Sequence, residues 1–258
     1  MINEKVVFIT ASAGAIGEAQ ARLFSSNGYK VYLTDLNKKS VETISKDINL
    51  NGGETSFAKL DVTHEKEWKQ NLEKCMNKFN RIDVLCNNAG ANFRTGFENQ
   101  SFGMWNKIIS IGLSGTFLGI KNVTEYMKEK GGVIINLGSL ASVNSSDSSP
   151  GYSAQKMGLL GLTRSAALAY SKYKIRCVMV SPGHVDTPFV RSNNEYSPND
   201  WTTSIDNPIN YKKRLDQIPL GRFLVGSDIA KLFLFLASDD AEMITGNNIL
   251  LDGGTSII

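Results

Sequence analysis

A tyrosine and a lysine four residues apart, Tyr152 and Lys156, are the side chains of this chain best suited to move a proton. The apolar recurrence that follows them (Leu159, Leu160, Leu162, Ala166, Ala167, Leu168) predicts a buried helix. On a helix beginning near Tyr152 the two side chains lie one above the other on a single face. A free phenol, with a pKa of about 10, is a poor acid–base group at neutral pH, and an adjacent ammonium favours its ionised form. Each unit of depression corresponds to about 1.4 kcal/mol, so one or two close positive charges bring the proton into working range. Tyr–Lys pairs at this spacing also occur on ordinary helix surfaces, and the pair alone decides nothing. Ser139 supplies a hydroxyl thirteen positions before Tyr152, directly after the strand-like run Val133, Ile134, Ile135, Asn136 and Leu137.

These residues need a scaffold, and the chain alternates short apolar runs with helical periodicity. Strands are predicted at 6–10, 30–34, 55–60, 82–86, 133–137, 175–180 and 248–251. Helices are predicted from about Ile16 to Phe24 and at 40–50, 65–79, 102–129, 152–172 and 229–236. Such alternation implies an α/β fold: one doubly wound parallel sheet with helices on both faces, in a single domain over 1–258.

The first strand runs into Thr10, Ala11, Ser12, Ala13, Gly14, Ala15, Ile16 and Gly17, a small-residue turn at the start of a helix. There a pyrophosphate can approach backbone N–H groups, and the helix dipole favours its charge. Asp35 ends the second strand, eighteen residues past Gly17. Its carboxylate can accept ribose hydroxyls and repels a 2′-phosphate, which predicts NAD in preference to NADP. No arginine neighbours Asp35 in sequence; Lys38 and Lys39 partly offset its charge. Asn87-Asn88-Ala89-Gly90 follows the fourth strand and Pro182-Gly183 the sixth.

Ser139 followed by Tyr152-x-x-x-Lys156, Asn87-Asn88-Ala89-Gly90 and the small-residue turn together resemble the short-chain dehydrogenase/reductase family over nearly the whole chain. The resemblance implies that Tyr152 donates a proton to a carbonyl or accepts one from an alcohol. It implies that Lys156 lowers the phenol's pKa and holds the nicotinamide ribose, and that Ser139 holds the substrate oxygen. It also implies cofactor contacts from Ser12, Gly14, Ile16, Gly17, Asp35, Leu36, Asp61, Val62, Asn88, Ala89, Gly90, Tyr152, Lys156, Pro182, Gly183, Val185 and Thr187. His184 stands between a place facing the substrate and one on a surface loop.

Two departures stand out. Ala11 and Ala15 occupy positions that are glycine in the family's turn, predicting a slightly displaced loop because alanine disfavours positive φ. Gly112 occupies the place of the family's fourth catalytic residue, an asparagine whose carbonyl lies at a kink in the long helix. Glycine keeps the carbonyl and loses the amide, predicting a working but less rigid relay; a large gain in turnover from Gly112→Asn would show that the loss is costly. These departures keep two alternatives beside hydride transfer between nicotinamide and a secondary alcohol or ketone. One is isomerisation or dehydration on the same fold; the other is a non-catalytic dinucleotide sensor.

The segment 188–220 is polar, with Asn193-Asn194, Pro198, Asp206-Asn207-Pro208 and the basic group Lys212, Lys213 and Arg214. Its length and weak periodicity predict a partly helical lid. The pocket is expected to be lined by Ala91, Asn92 and Phe93 and around Leu140 and Val190, and the basic group is expected to be a solvated helix face. Composition bounds the rest. A net charge of +3 argues against nucleic acid. Cys75, Cys86 and Cys177 form neither a disulfide framework nor a zinc pattern, and two histidines, His64 and His184, predict no metal site. Met1 to Lys5 carry no apolar leader, and the strongest apolar stretch, 229–237, is short and contains Lys231, so a cytoplasmic protein without a membrane span is expected. The resemblance implies a small-molecule alcohol or carbonyl as partner. It also implies a homotetramer or homodimer, built through the two long helices and the C-terminal strand.

Overall fold

In the computed structural model, which describes residues 5–258, seven strands form one parallel sheet in the order β3-β2-β1-β4-β5-β6-β7. They are β1 (Val6–Ile9), β2 (Lys30–Asp35), β3 (Thr55–Lys59), β4 (Val84–Asn87), β5 (Gly132–Leu137), β6 (Ile175–Pro182) and β7 (Asn248–Leu251). The connecting helices are α1 (Ala15–Ser26), α2 (Lys38–Leu50), α3 (Glu65–Phe79), α4 (Gly96–Asn99), α5 (Phe102–Ile109), α6 (Gly115–Met127), α7 (Pro150–Tyr170), α8 (Pro188–Arg191), α9 (Pro208–Leu215) and α10 (Gly226–Ala237). The predicted approach of Met1–Glu4 to the first strand lies outside the described residues.

The strands read as continuous apolar runs because both faces of the sheet are covered. Side chains alternate across the pleat. Val7, Ile9, Val31, Leu33, Ile135 and Val178 therefore pack against α1, α2 and α10 through Phe24, Ile44, Phe233 and Leu236. Phe8, Tyr32, Leu85 and Ile134 pack against α3, α6 and α7 through Trp68, Leu72, Val123 and Ala166. Phe8 stacks between Tyr32 and Trp68 at centroid separations of 5.1 and 5.8 Å, and burying such a ring contributes about 1.5–3 kcal/mol. The three cysteines are buried free thiols in this core. Burial raises all three, Cys177 to about 12.

Local chemistry sets the element ends. Asn37 Oδ1 accepts the Ser40 N–H at the start of α2, and Pro150 opens α7 where no helical N–H is needed. Asn80, at φ 59°, closes α3 in the left-handed conformation. The long helix predicted over 102–129 is instead α5 and α6 joined by a π-helical turn, Ser110–Ser114. The strand order reverses between β1 and β4, so their carboxyl ends diverge into the crevice where ligands bind in open parallel sheets. No described helix is long and apolar enough to cross a membrane.

Candidate active site

Ser139, Tyr152 and Lys156 converge on one cavity of about 820 Å³. Three elements place them. Ser139 follows the end of β5, where its Oγ accepts the Ala141 N–H at 3.2 Å. A chain of bonds from Ser142 to Ser181 (3.0 Å) and from Ser181 to Asn248 (2.6 Å) fastens this loop to β6 and β7. Tyr152 and Lys156 sit in the first turns of α7, whose Gly151 N–H donates to Gln100 Oε1 at 2.7 Å. Lys156 is almost completely buried and donates to the Leu137 carbonyl at 2.7 Å, tying α7 to the end of β5.

The electrostatics add to the sequence expectation. Lys156 Nζ lies 5.4 Å from the centre of the Tyr152 ring. Burial holds the Lys156 ammonium itself down to about 7. For Tyr152 burial is the largest influence and raises the pKa; the hydrogen bond with Ser139 and the charge of Arg94 oppose it. Arg94, an arginine following β4 that the sequence reading did not single out, is thus a further cation that favours the phenolate.

At the other end of the cavity lie Ala11, Gly14, Ala15, Ile16 and Gly17. Residues here fit a dinucleotide. Helix α1 begins at Gly14 without a side-chain cap, so its first N–H groups remain for an anion. A Cβ on Gly17 would lie 2.4 Å from the Ala11 carbonyl, so only glycine lets the helix start this close to the turn. Ala11 keeps the left-handed conformation at φ 50° despite its methyl group, so the turn is retained at a cost of about 1–2 kcal/mol. Asp35 Oδ2 accepts the Ala13 N–H at 3.1 Å and Oδ1 the Asn37 N–H at 2.9 Å, which fixes a carboxylate beside the turn with lone pairs to spare.

Asn88, Gly90, Pro182, Gly183, Val185 and Thr187 also line the cavity. Asn88 donates to the Thr10 carbonyl and to Gln20 Oε1, at 3.0 and 2.7 Å, bridging β1 and β4 where they part. A Cβ on Gly183 would lie 2.9 Å from the Asp252 Cα. Ser12 is placed differently: fully buried, its N–H and its hydroxyl both donate to the Thr34 carbonyl, so it braces the turn and does not reach the cavity. Asp35, Leu36, Asp61, Val62 and Ala89 also lie outside the cavity lining. Val62 is buried and its carbonyl accepts the Trp68 indole N–H, while Asp61 Oδ1 bonds Thr63. Asn87 serves the scaffold, donating to Asn136, which donates to Thr163 on α7.

His184 lines the cavity, with Nε2 3.1 Å from Gln217 Oε1 and its ring near Phe223, and burial lowers its pKa. Asn92 and Val190 line the cavity as expected. Ala91 and Phe93 instead join a small core with Ile108, and Leu140 gives way to Ala141. The segment 188–220 folds over the cavity: Arg191 pairs with Asp186 and Asp206, and Ile205, Ile218 and Phe223 form a core beneath it. The expected solvated face at 212–214 is only half right. Lys212 and Lys213 are both exposed, Lys212 pairing with Asp216 and Lys213 at the cavity's edge, whereas Arg214 is half-buried on the cavity lining.

Comparison with known proteins agrees with this arrangement. The pattern of the family described as enoyl-(acyl carrier protein) reductase matches residues 10–256. The trans-4-hydroxycyclohexanecarboxylate dehydrogenase of Sinomonas cyclohexanicum is 34% identical over 98% of this chain and 93% of its own. The chain belongs to the short-chain dehydrogenase/reductase family.

Within that family other relatives stand equally near. The 2,5-dichloro-2,5-cyclohexadiene-1,4-diol dehydrogenase of Sphingobium indicum is 34% identical over 98% of this chain and 96% of its own. The crystal structure of gox2181 superposes with a TM-score of 0.90 at 26% identity, covering 99% of this chain and 96% of that one. The departure at Gly112 from the family pattern acquires a physical explanation. A Cβ built on Gly112 would lie 2.6 Å from Gln155 Cδ and 2.8 Å from its Nε2. The Gln155 side chain therefore occupies the space that a side chain at 112 would take. It is fully buried, and neither amide atom has a partner. The Gly112 carbonyl lies in the π-helical turn and accepts the Thr116 hydroxyl at 2.9 Å. Gly112→Asn alone would collide with Gln155. Nothing in the single sequence flagged Gln155, whose neighbours in the signature are unremarkable in spacing.

Proposed function

We propose that this protein is an NAD(H)-dependent oxidoreductase that interconverts a secondary alcohol and its ketone. The observation carrying the proposal is that Ser139, Tyr152 and Lys156 open on the same cavity as the uncapped start of α1. A bound nicotinamide supplies two-electron hydride exchange with the carbinol carbon. The Tyr152 hydroxyl gives its proton to the carbonyl oxygen in reduction and takes it back in oxidation. The Ser139 hydroxyl holds that oxygen, where negative charge develops. Lys156, held by the Leu137 carbonyl, faces the ribose, and the Arg94 charge favours the phenolate from the opposite side. Ser12, Leu36, Asp61, Val62 and Ala89, outside the cavity lining, act on the adenosine side by shaping the strand ends.

The preference for NAD rests on Asp35, fixed beside the turn where a 2′-phosphate would have to lie. Two relatives are named for ring alcohols, which supports a cyclic secondary alcohol as substrate. The segment 188–220 acts as a lid over it. The protein is proposed to work in the cytoplasm as a homodimer or homotetramer.

The test is a screen of cyclic alcohols and ketones with NADH and NADPH, followed at 340 nm. Turnover with NADH at least ten times more efficient than with NADPH is expected. Tyr152→Phe should lower kcat by a factor of about 10²–10⁴ while leaving NADH binding by calorimetry intact. NADH binding with no turnover on any compound would instead favour a dinucleotide sensor.

A further inference from the structure

The substrate half of the cavity is positively charged with nothing acidic to answer it. Arg94, Lys213 and Arg214 line it together with Lys156 and His184, and no aspartate or glutamate among the described residues does. Arg94 donates only to neutral acceptors: Ser197 Oγ at 2.8 Å, Asn199 Oδ1 at 3.0 Å and the Phe189 carbonyl at 3.4 Å. Arg214 donates to the Thr203 carbonyl at 3.0 Å. Neither has a carboxylate partner among the described residues, unlike Arg22, Arg81, Arg191 and Arg222; Arg176, away from the cavity, also donates only to carbonyls.

Two guanidinium groups partly withdrawn from water and close enough to repel each other are an unfavourable arrangement. Burial and this repulsion hold Arg94 down to about 10, and burial lowers Arg214 as well. A structural reading accounts for part of Arg94, which clasps the segment 189–199. It does not account for Arg214, which α9 places half-buried on the cavity, with the exposed Lys213 at the cavity's edge and Lys212 paired with Asp216. Nor does the cofactor's pyrophosphate account for them, since the α1 start serves that role and Arg94 lies within electrostatic reach of the Tyr152 phenol.

We propose that Arg94, Arg214 and Lys213 form an anion site, and that the substrate is a hydroxy or keto acid whose carboxylate is held there while its carbinol carbon faces Tyr152. This rests on the oxidoreductase reading above. A guanidinium fork matches a carboxylate with two parallel bonds, and in a cavity shielded from water such bonds are strong. Phe189, Val190 and Phe223, all on the lining, provide the apolar wall for the carbon skeleton between the two ends.

Two measurements test the site separately from the chemistry. In the first, cyclohexanecarboxylate and its methyl ester are titrated calorimetrically into the protein with and without saturating NADH. The acid should bind at least ten times more tightly than the ester, and Arg214→Gln should weaken the acid about 10- to 100-fold and leave the ester unchanged. Arg214→Lys, which keeps the charge and loses the fork, should fall between, and thermal melts show that each variant is folded. In the second, 4-hydroxycyclohexanecarboxylate should be oxidised with a higher kcat/KM than its methyl ester, and Arg214→Gln should raise KM for the acid with little change in kcat. Equal binding of acid and ester, or equal weakening of both by Arg214→Gln, overturns the anion site even if neutral alcohols are turned over. Selective carboxylate binding without turnover of any alcohol leaves the anion site standing and removes the oxidoreductase reading.

Discussion

Lys156 shows at the scale of one residue how a site sets function against stability. Its ammonium is buried almost completely, with the Leu137 carbonyl as its hydrogen-bond acceptor, and its pKa falls to about 7 against about 10.4 in an unfolded chain. Between those values the unfolded chain binds more protons than the folded one, so the stability of the folded chain rises with pH across that window. Below about pH 7 both states are protonated and the full burial cost is present. Lys156→Met removes the cost along with the bond to Leu137. The variant should be more stable than the parent by on the order of 1–3 kcal/mol at pH 6, and the gap should narrow at pH 9. Urea unfolding followed by circular dichroism at the two pH values measures this; a gap that widens with pH would contradict it. Tyr152 and Lys156 were legible in the sequence because a helix brings residues four apart together wherever it is placed, and Ser139 through its place in the family's signature. The influences on Tyr152 were not, because burial and the charge of Arg94 depend on distant chain.

At the scale of elements, the contact between α7 and the π-helical turn is what the sequence could not show. Read position by position, Gly112 was a lost side chain that left a working, less rigid relay. In the fold, Gly112 and Gln155 are one packing unit, since the two side chains compete for one space. Gly112→Asn should therefore destabilise by about 1–3 kcal/mol, the usual cost of overpacking, and lower turnover. Gln155→Ser should open the space and leave Gly112 facing a void. The double variant Gly112→Asn with Gln155→Ser should recover most of the stability, giving a coupling energy of at least about 1 kcal/mol in a double-mutant cycle. Additive losses would show that the two positions are independent. Either outcome is read from denaturation midpoints, with turnover measured alongside.

The whole molecule leaves a consistent set of apolar side chains in solvent. Phe102 on α5, Phe117 and Tyr126 on α6 and Met157 and Leu168 on α7 are exposed, as are Met243 and Ile257 near the C-terminus. Scattered exposed apolar residues are ordinary, and Leu50, Phe97, Trp201, Ile209 and Leu220 are others, but these seven fall on α5, α6, α7 and near the C-terminus, by the edge strand β7. Burying them between copies of the chain supports the proposed homodimer or homotetramer. Light scattering after size exclusion should give twice or four times the 28.3 kDa of one chain. Leu168→Glu, the most exposed of those on α7, should shift the mass downward if α7 forms a contact. A monomer in the parent protein would remove the proposal.

The alternation of strands and helices, the seven-stranded parallel sheet and the pairing of Tyr152 with Lys156 on one helix face were legible in the sequence on its own. Each is written in local spacing: period two or a continuous apolar run for strands, 3.6 for helices, four for the Tyr–Lys pair. Only the tertiary structure decided that Arg94 acts on the phenol, which glutamine fills the place beside Gly112, and that Arg214 is drawn onto the cavity while Lys212 and Lys213 stay exposed. Arg94 and Arg214 stand on opposite sides of the chain's midpoint and meet because the crossovers of a parallel sheet deliver every strand end to one edge. Linear spacing carries no record of such meetings; burial and the side a helix presents to the cavity create them.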